Sequence, residues 1–282
     1  MKTRIITAIV GILVLIGVMF TFNTMVFNLV IAAITLIAIH EIYSALGFEK
    51  KDWLMYAVLV PYTLLVMLSS YSAMRKLVMP MSFVLVTFFA IYLVVRNGTI
   101  SYQKASGLLV FSGIVIFCFY SFILLKERLP VEKFGYDAVF FILLILCFAW
   151  GGDTCAYFAG RAFGKHKLCP VVSPKKTVEG AIGGMLGCTL VFAGMTVLYN
   201  RTGIWGEHEA LSVWLMIPAG LLVSVVSQLG DLAMSQLKRH FGIKDFGKLL
   251  PGHGGILDRF DSALAVSVTL LVFFMATGVK AG

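Results

Sequence analysis

The sequence predicts an all-α polytopic membrane protein of about nine transmembrane helices, with a polar active-site cavity on the cytoplasmic side. Three observations predict it. Of 282 residues, 60% are hydrophobic and only 13% are charged, about half the charged share of a soluble domain. The mean hydropathy is +0.95, and the apolar residues come in runs near the ~20 that carry a helix across a bilayer. Six carboxylates within or at the ends of those runs fall toward one side of the membrane. The seven prolines are too few for a collagen-like or disordered chain. The cysteines, Cys118, Cys147, Cys155, Cys169 and Cys188, are scattered and form no CxxC, which excludes a disulfide scaffold and a cysteine zinc site. A net charge of +9 is accounted for by anionic lipid and an anionic substrate, with no need of nucleic acid.

In chain order, windows of about 19 residues place spans at roughly 4–22, 24–47, 53–72, 77–95, 105–125, 137–160, 178–199, 211–236 and 261–279. The first opens with Lys2 and Arg4 like a signal peptide, but its apolar stretch is too long and no small-x-small cleavage site follows. An uncleaved helix is expected. Glu49, Lys50, Lys51 and Asp52 form the short polar connection of a helical hairpin between the second and third spans. Residues 1–130 hold about five spans and little beyond hydrophobicity; residues 131–282 hold about four spans, two basic loops and most of the polar chemistry. In that second region Gly160 with Gly164, Gly180 with Gly184 and Gly183 with Gly187 are spaced for tight helix packing, which is their default meaning in a membrane. Such helices also permit a homodimer. His166 and His240 stand alone among bases, without metal-ligand spacing, and are expected to be solvated.

Counting Lys and Arg on alternate sides puts 16 of the 23 on the side of the N-terminus. The positive-inside rule makes that side cytoplasmic, together with loops 161–177 and 237–260, and turns loops 126–136 and 200–210 outward. The two cytoplasmic loops carry ten bases, more than orientation requires.

Six acids, Glu41, Asp153, Glu179, Asp231, Asp258 and Asp261, lie within or at the ends of spans, all near the cytoplasmic side. A carboxylate facing lipid costs about 2.5–3.5 kcal/mol at the bilayer centre even on the mild insertion scale, so the group calls for a polar cavity. Glu41 fits an interfacial or locally paired group as well as a site residue, and Glu179 fits a favourable charge at a helix N-terminus. Asp153 follows Gly151 and Gly152 inside an apolar span, where a functional group is favoured over a structural hydrogen bond.

The densest polar stretch runs from Asp231 to Asp261. Asp231, Ser235 and Lys238 fall on one helical face, and Asp258 and Asp261 share another where the last span begins. Three carboxylates without His or Cys suit a hard ion such as Mg²⁺, alone or with a second cation. Lys238, Arg239, Lys244, Lys248, His253 and Arg259 surround them, and Gly252, Gly254 and Gly255 form a turn whose N–H groups can approach an anion. Carboxylate-held cation, bases and glycine turn together are what nucleotidyl or phosphoryl transfer needs.

The 27 residues from Ser235 to Asp261, through Lys238-Arg239, Lys244-Asp245-Phe246-Gly247 and Leu250-Pro251-Gly252-His253-Gly254-Gly255-Ile256-Leu257-Asp258-Arg259-Phe260-Asp261, resemble the signature of the phosphatidate cytidylyltransferase (CDP-diacylglycerol synthase) family. Asp153 to Arg161 and Ser173 to Gly180 are similar to the family's other polar region. The resemblance implies transfer of CMP from CTP to phosphatidic acid, with release of pyrophosphate. It implies Asp231, Asp258 and Asp261 as Mg²⁺ ligands, and Lys244 and Ser235 beside them in catalysis. Lys175, Lys176, Lys238, Arg239, His253, Arg259 and Asp153 are then expected to contact substrate. The lack of an extra hydrophilic tail is similar to prokaryotic members, hence an expected place in the bacterial cell membrane among its lipids. A CTP-dependent lipid-alcohol kinase is the nearest alternative. A cation-coupled transporter is less favoured, because its acids usually lie near the bilayer midplane between repeats.

Overall fold

The computed structural model describes residues 2–96, 100–202 and 212–277. Lys280 and most of loop 200–210, both used above to orient the chain, lie outside the described residues. Helix dominates because a segment in lipid must satisfy every backbone N–H and C=O within itself. The elements are α1 (Lys2–Phe20), α2 (Met25–Ala45), α3 (Trp53–Met67), α4 (Ser72–Val95), α5 (Tyr102–Arg128), the short α6 (Val131–Phe134) and α7 (Asp137–Phe163), then β1 (Lys167–Cys169) and β2 (Ser173–Thr177), then α8 (Val178–Thr202), α9 (Val213–His240) and α10 (Leu257–Thr277).

Every expected span is a helix, but among the described residues seven are long and apolar enough to cross a membrane, not nine. The two that fall short are α1, whose apolar part is Ile5–Phe20, and α3, with 15 residues. At 1.5 Å per residue these reach about 24 and 22 Å, against a hydrocarbon core of about 30 Å. The basic loop 161–177 holds a short antiparallel hairpin, β1–β2, with Lys167 opposite Thr177 and Cys169 opposite Ser173.

The chain forms two compact units. The first is Met1–Leu124 with Phe241–Arg259; the second is Leu125–His240 with Phe260–Gly282. In the first unit α2 packs on α3 and α3 on α4 around buried Phe27, Ile39, Met55, Leu59 and Met67. Buried Asn28 donates from Nδ2 to Met67 O at 2.7 Å and to Ser70 Oγ at 2.8 Å, so it satisfies a carbonyl that the end of α3 leaves open.

In the second unit α7, α8 and α9 pack together, with Phe148 against Phe192 and Phe141 against Phe274 in the core. The glycine spacings do what they were expected to do. A methyl on Gly183 would overlap Ala159 Cβ, one on Gly184 would lie 3.0 Å from Ala156 Cβ, and one on Gly187 would lie 2.6 Å from Cys155 Sγ. The small faces of α7 and α8 therefore meet almost backbone to backbone. Glu179, in the first turn of α8, accepts from Lys165 N at 3.0 Å and bonds His166 Nδ1 at 2.6 Å. That anchors the chain where it enters the hairpin and gives His166 a partner, where a merely solvated ring was expected.

Candidate active site

A cavity of about 380 Å³ lies in the second unit, within the ~300–1,000 Å³ range of small-molecule pockets. α7, β1, β2, α8 and α9 all line it, and three of them supply its polar side chains. From α7 come Asp153, Tyr157 and Arg161, spaced by four and so stacked on one face. From β2 come Lys175, Lys176 and Thr177, and from α9 come Gln228 and Asp231, one turn apart. The close α7–α8 packing and the hairpin bring these segments to one place. Thr177 ends the hairpin and caps α8, its Oγ1 accepting from Gly180 N at 3.1 Å. Each glycine near it leaves room for that hydroxyl: a methyl on Gly160 would lie 2.8 Å from Thr177 Oγ1.

The charges that line the cavity, and those farther along α9 and at the start of α10, are already organised. Lys176 Nζ forms an ion pair with Asp231 Oδ2, the two side chains being 28% and 16% exposed. Ser235 Oγ, one turn along α9, donates to Asp231 Oδ1 at 3.3 Å. Lys238 Nζ stands 3.9 Å from Asp261 Oδ2, both side chains 11% exposed, and Asp261 Oδ1 accepts from Ser262 N at 2.8 Å. The carboxylates of Asp231 and Asp153 lie within electrostatic reach of Asp261. Carboxylates within reach of one another repel unless positive charge stands beside them, and here Lys176 pairs with Asp231 and Lys238 lies near Asp261. Arg239 lies to the side, its Nε donating to Val172 O at 3.4 Å. Lys175 is exposed at the cavity wall.

The remaining expected residues belong to the first unit. Leu250 and Gly254 pair through N–H···O bonds of 2.9 and 3.1 Å, closing a tight turn in which Gly252 and Gly254 have φ of 76° and 89°. Asp258 is 6% exposed and its Oδ2 accepts from Phe246 N at 2.8 Å and Gly255 N at 3.0 Å. The turn exists as expected, but the N–H groups of Gly254 and Gly255 are committed inside it and do not form an open anion nest. Lys244, Lys248 and Arg259 are exposed. His253 Nδ1 is buried and makes no hydrogen bond. Asp258 is thus a loop organiser in addition to any other role. Asp258→Ala is expected to lower stability by about 2–3 kcal/mol, since two buried N–H groups lose their acceptor. Asp258→Asn keeps an acceptor oxygen and should melt close to the parent in detergent. A melting curve for each variant separates the fold role from turnover.

Tyr157, Thr177 and Gln228 were not singled out from sequence. Gln228, which donates from Nε2 to Ala181 O at 3.0 Å, had a legible signal: an amide in an apolar span, one turn ahead of Asp231. Thr177 and Tyr157 had none that set them apart from ordinary interfacial residues.

Among the described residues no three His, Cys, Asp or Glu side chains stand together as a ready metal site. The pair Asp231 and Asp261 nonetheless fits a hard divalent ion. Mg²⁺ needs only one or two carboxylates and takes its other oxygens from water and substrate phosphates. Two lysine ammonium groups already answer the demand for positive charge there.

A helical membrane protein that lines one cavity with Asp153, Asp231, Arg161, Lys175 and Lys176 has the equipment of a membrane-embedded enzyme for anionic substrates. The cytidylyltransferase family profile matches residues 2–277, and this chain belongs to that family. It is 33% identical over 286 residues to phosphatidate cytidylyltransferase of Staphylococcus haemolyticus, covering 94% of this chain and 96% of the relative. Identity to the Staphylococcus aureus (strain COL) protein of the same name is 33% over 277 residues, with the same coverage. With that of Staphylococcus saprophyticus it is 45% over 130 residues, covering 46% of this chain and 47% of the relative.

Proposed function

We infer that this chain transfers CMP from CTP to phosphatidic acid, forming CDP-diacylglycerol and pyrophosphate. The observation that carries the reading is 33% identity, over an alignment covering 94% of the chain, to a protein named phosphatidate cytidylyltransferase. The lysines and carboxylates around the cavity are the groups such a reaction uses. An oxygen of the lipid phosphate attacks the α-phosphorus of CTP, and the bond to the bridging oxygen of the β-phosphate breaks. No strong general base is needed, because the lipid phosphate is already an anion near neutral pH. The demand is to bring two anions together, which Arg161, Lys175 and Lys176 serve as phosphate partners. Lys244, Arg239 and Arg259 add charge for the same purpose, and His253 and Ser235 are hydrogen-bond partners. Asp153, Asp231 and Asp261 hold the bases in place through charge.

Mg²⁺, alone or with a second cation, would be held by Asp231 and Asp261. Bound there it would neutralise CTP phosphates and polarise the α-phosphorus. The excess of Lys and Arg on the N-terminal side supports a cytoplasmic N-terminus and cavity, in a bacterial cell membrane, with α1 and α3 completing nine crossings. At headgroup depth a two-tailed lipid can then enter sideways while CTP enters from water.

The test is transfer of label from α-labelled CTP to lipid by purified protein, with and without phosphatidate and Mg²⁺. Labelled CDP-diacylglycerol and equimolar pyrophosphate are expected only when all three are present. Release of CDP without pyrophosphate would replace this reading by the kinase.

A further inference from the structure

Glu41 is a carboxylate on a membrane helix, 5% exposed, more than two hundred residues from its partners in sequence. Its Oε1 accepts from Ile256 N at 2.9 Å and its Oε2 from Leu257 N at 2.8 Å. Those are the N–H groups at the start of α10, which no helical carbonyl can satisfy. Two glycines of the polar segment make room for it. A methyl on Gly247 or Gly255 would overlap the Glu41 carboxyl group. Gly255 also donates its N–H to Asp258 Oδ2, which holds Phe246 N as well. Glu41, the segment from Phe246 to Leu257 and Asp258 are therefore one closed hydrogen-bonded unit inside the first unit. The hydroxyl of Thr7 adds a second tie from α1, to Pro251 O at 3.1 Å.

We propose that Glu41 of α2 is a positioning residue for nucleotidyl transfer: by gripping the N–H groups of Ile256 and Leu257, it holds the segment bearing Lys244, His253 and Asp258 in its working conformation. The proposal rests on the cytidylyltransferase reading given above. The physical reason is economy of acceptors. The segment folds back on itself with two glycines at positive φ, so its own backbone does not close the first turn of α10. A carboxylate is suited to the task, since it accepts two N–H bonds at once and its charge is favoured at a helix N-terminus. No neutral side chain of that length offers two acceptor oxygens. Gln presents an N–H toward one of the two donors, and Asp is one methylene short.

The test uses full-length purified protein with Glu41→Gln and Glu41→Asp, read by steady-state kinetics, melting and hydrogen exchange of the peptide spanning residues 245–257. Once substrates are bound, a loosened segment is in its working arrangement only part of the time, and turnover scales with that fraction. The expected result is kcat lower by about tenfold to a hundredfold, as for loss of a charged hydrogen bond the reaction needs. The KM for CTP should move less than about threefold. Exchange should quicken in residues 245–257 and not elsewhere in α2 or α10. Normal kcat per folded molecule, or a uniform loss of protection across the chain with no kcat change in the folded fraction, overturns the role. If neither variant folds, Gly247→Ala, which presses on the same carboxyl group from the other side, must give the same local exchange and kcat loss; normal kcat in it overturns the proposal. Parent protein that makes no labelled CDP-diacylglycerol removes the reading beneath, whereas active parent with unaffected variants removes only the assignment of Glu41.

Discussion

Asp261→Asn is expected to lower turnover by about 10²–10³-fold, the loss seen when one preorganised charged group is removed from a transition-state site, while the protein stays folded. Asp261 is nearly buried beside Lys238, with Asp231 and Asp153 within electrostatic reach. Its Oδ1 holds only its neighbour Ser262 N, a bond that the oxygen of Asn can keep. The substitution therefore removes charge and leaves shape. Lys238 is left beside a neutral amide, and the demand for a divalent ion at Asp231 falls with it. The check is kcat over a wide range of Mg²⁺, with a melting curve of the same preparation. Turnover near the parent value at saturating Mg²⁺ would take Asp261 out of the site, whatever the stability.

The second large effect is expected at Lys176. Its ammonium group is paired with Asp231 inside the cavity, so a cation bound by Asp231 and this lysine compete for the same carboxylate. Lys176→Met keeps the length and removes the charge. Turnover should fall by about 10²–10³-fold, because a base is lost from the phosphates where charge develops. At the same time the affinity for Mg²⁺ or Mn²⁺ measured without nucleotide, by calorimetry, should rise, since the competing positive charge is gone. The two readouts move in opposite directions. Weaker divalent binding in the variant would mean that Lys176 does not occupy the cation position, and unchanged turnover would mean that it does not serve the substrate.

The spans were legible because in a membrane each helix closes its own hydrogen bonds and meets an apolar solvent over its whole length, so about 20 residues of local hydropathy decide it. The packing of Gly183 and Gly187 was legible for a similar reason: a small residue every fourth position marks a helix face without reference to its partner. The hairpin Lys167–Thr177 was not. Its strands are three and five residues long, contain a proline and three lysines, and show no alternation; they pair because Glu179 and the ends of α7 and α8 bring them together. The site was half legible. Residue types and helical faces pointed to Asp153, Lys175, Lys176 and Asp231, and the cavity joins them. That Lys176 chooses Asp231, 55 residues away, was not in the pattern. Nor was the duty of Asp258 in its own loop.

Hydropathy and the 27-residue polar signature determined by themselves that this is a polytopic helical membrane protein of the cytidylyltransferase family. Tertiary structure alone decided which acid meets which base, that Glu41 closes the start of α10, and that residues 241–259 pack with the first unit. The reason lies in range. A helix in lipid is settled by side chains against their immediate solvent, whereas a buried carboxylate is settled by whichever donor the packing of distant segments brings within about 3 Å.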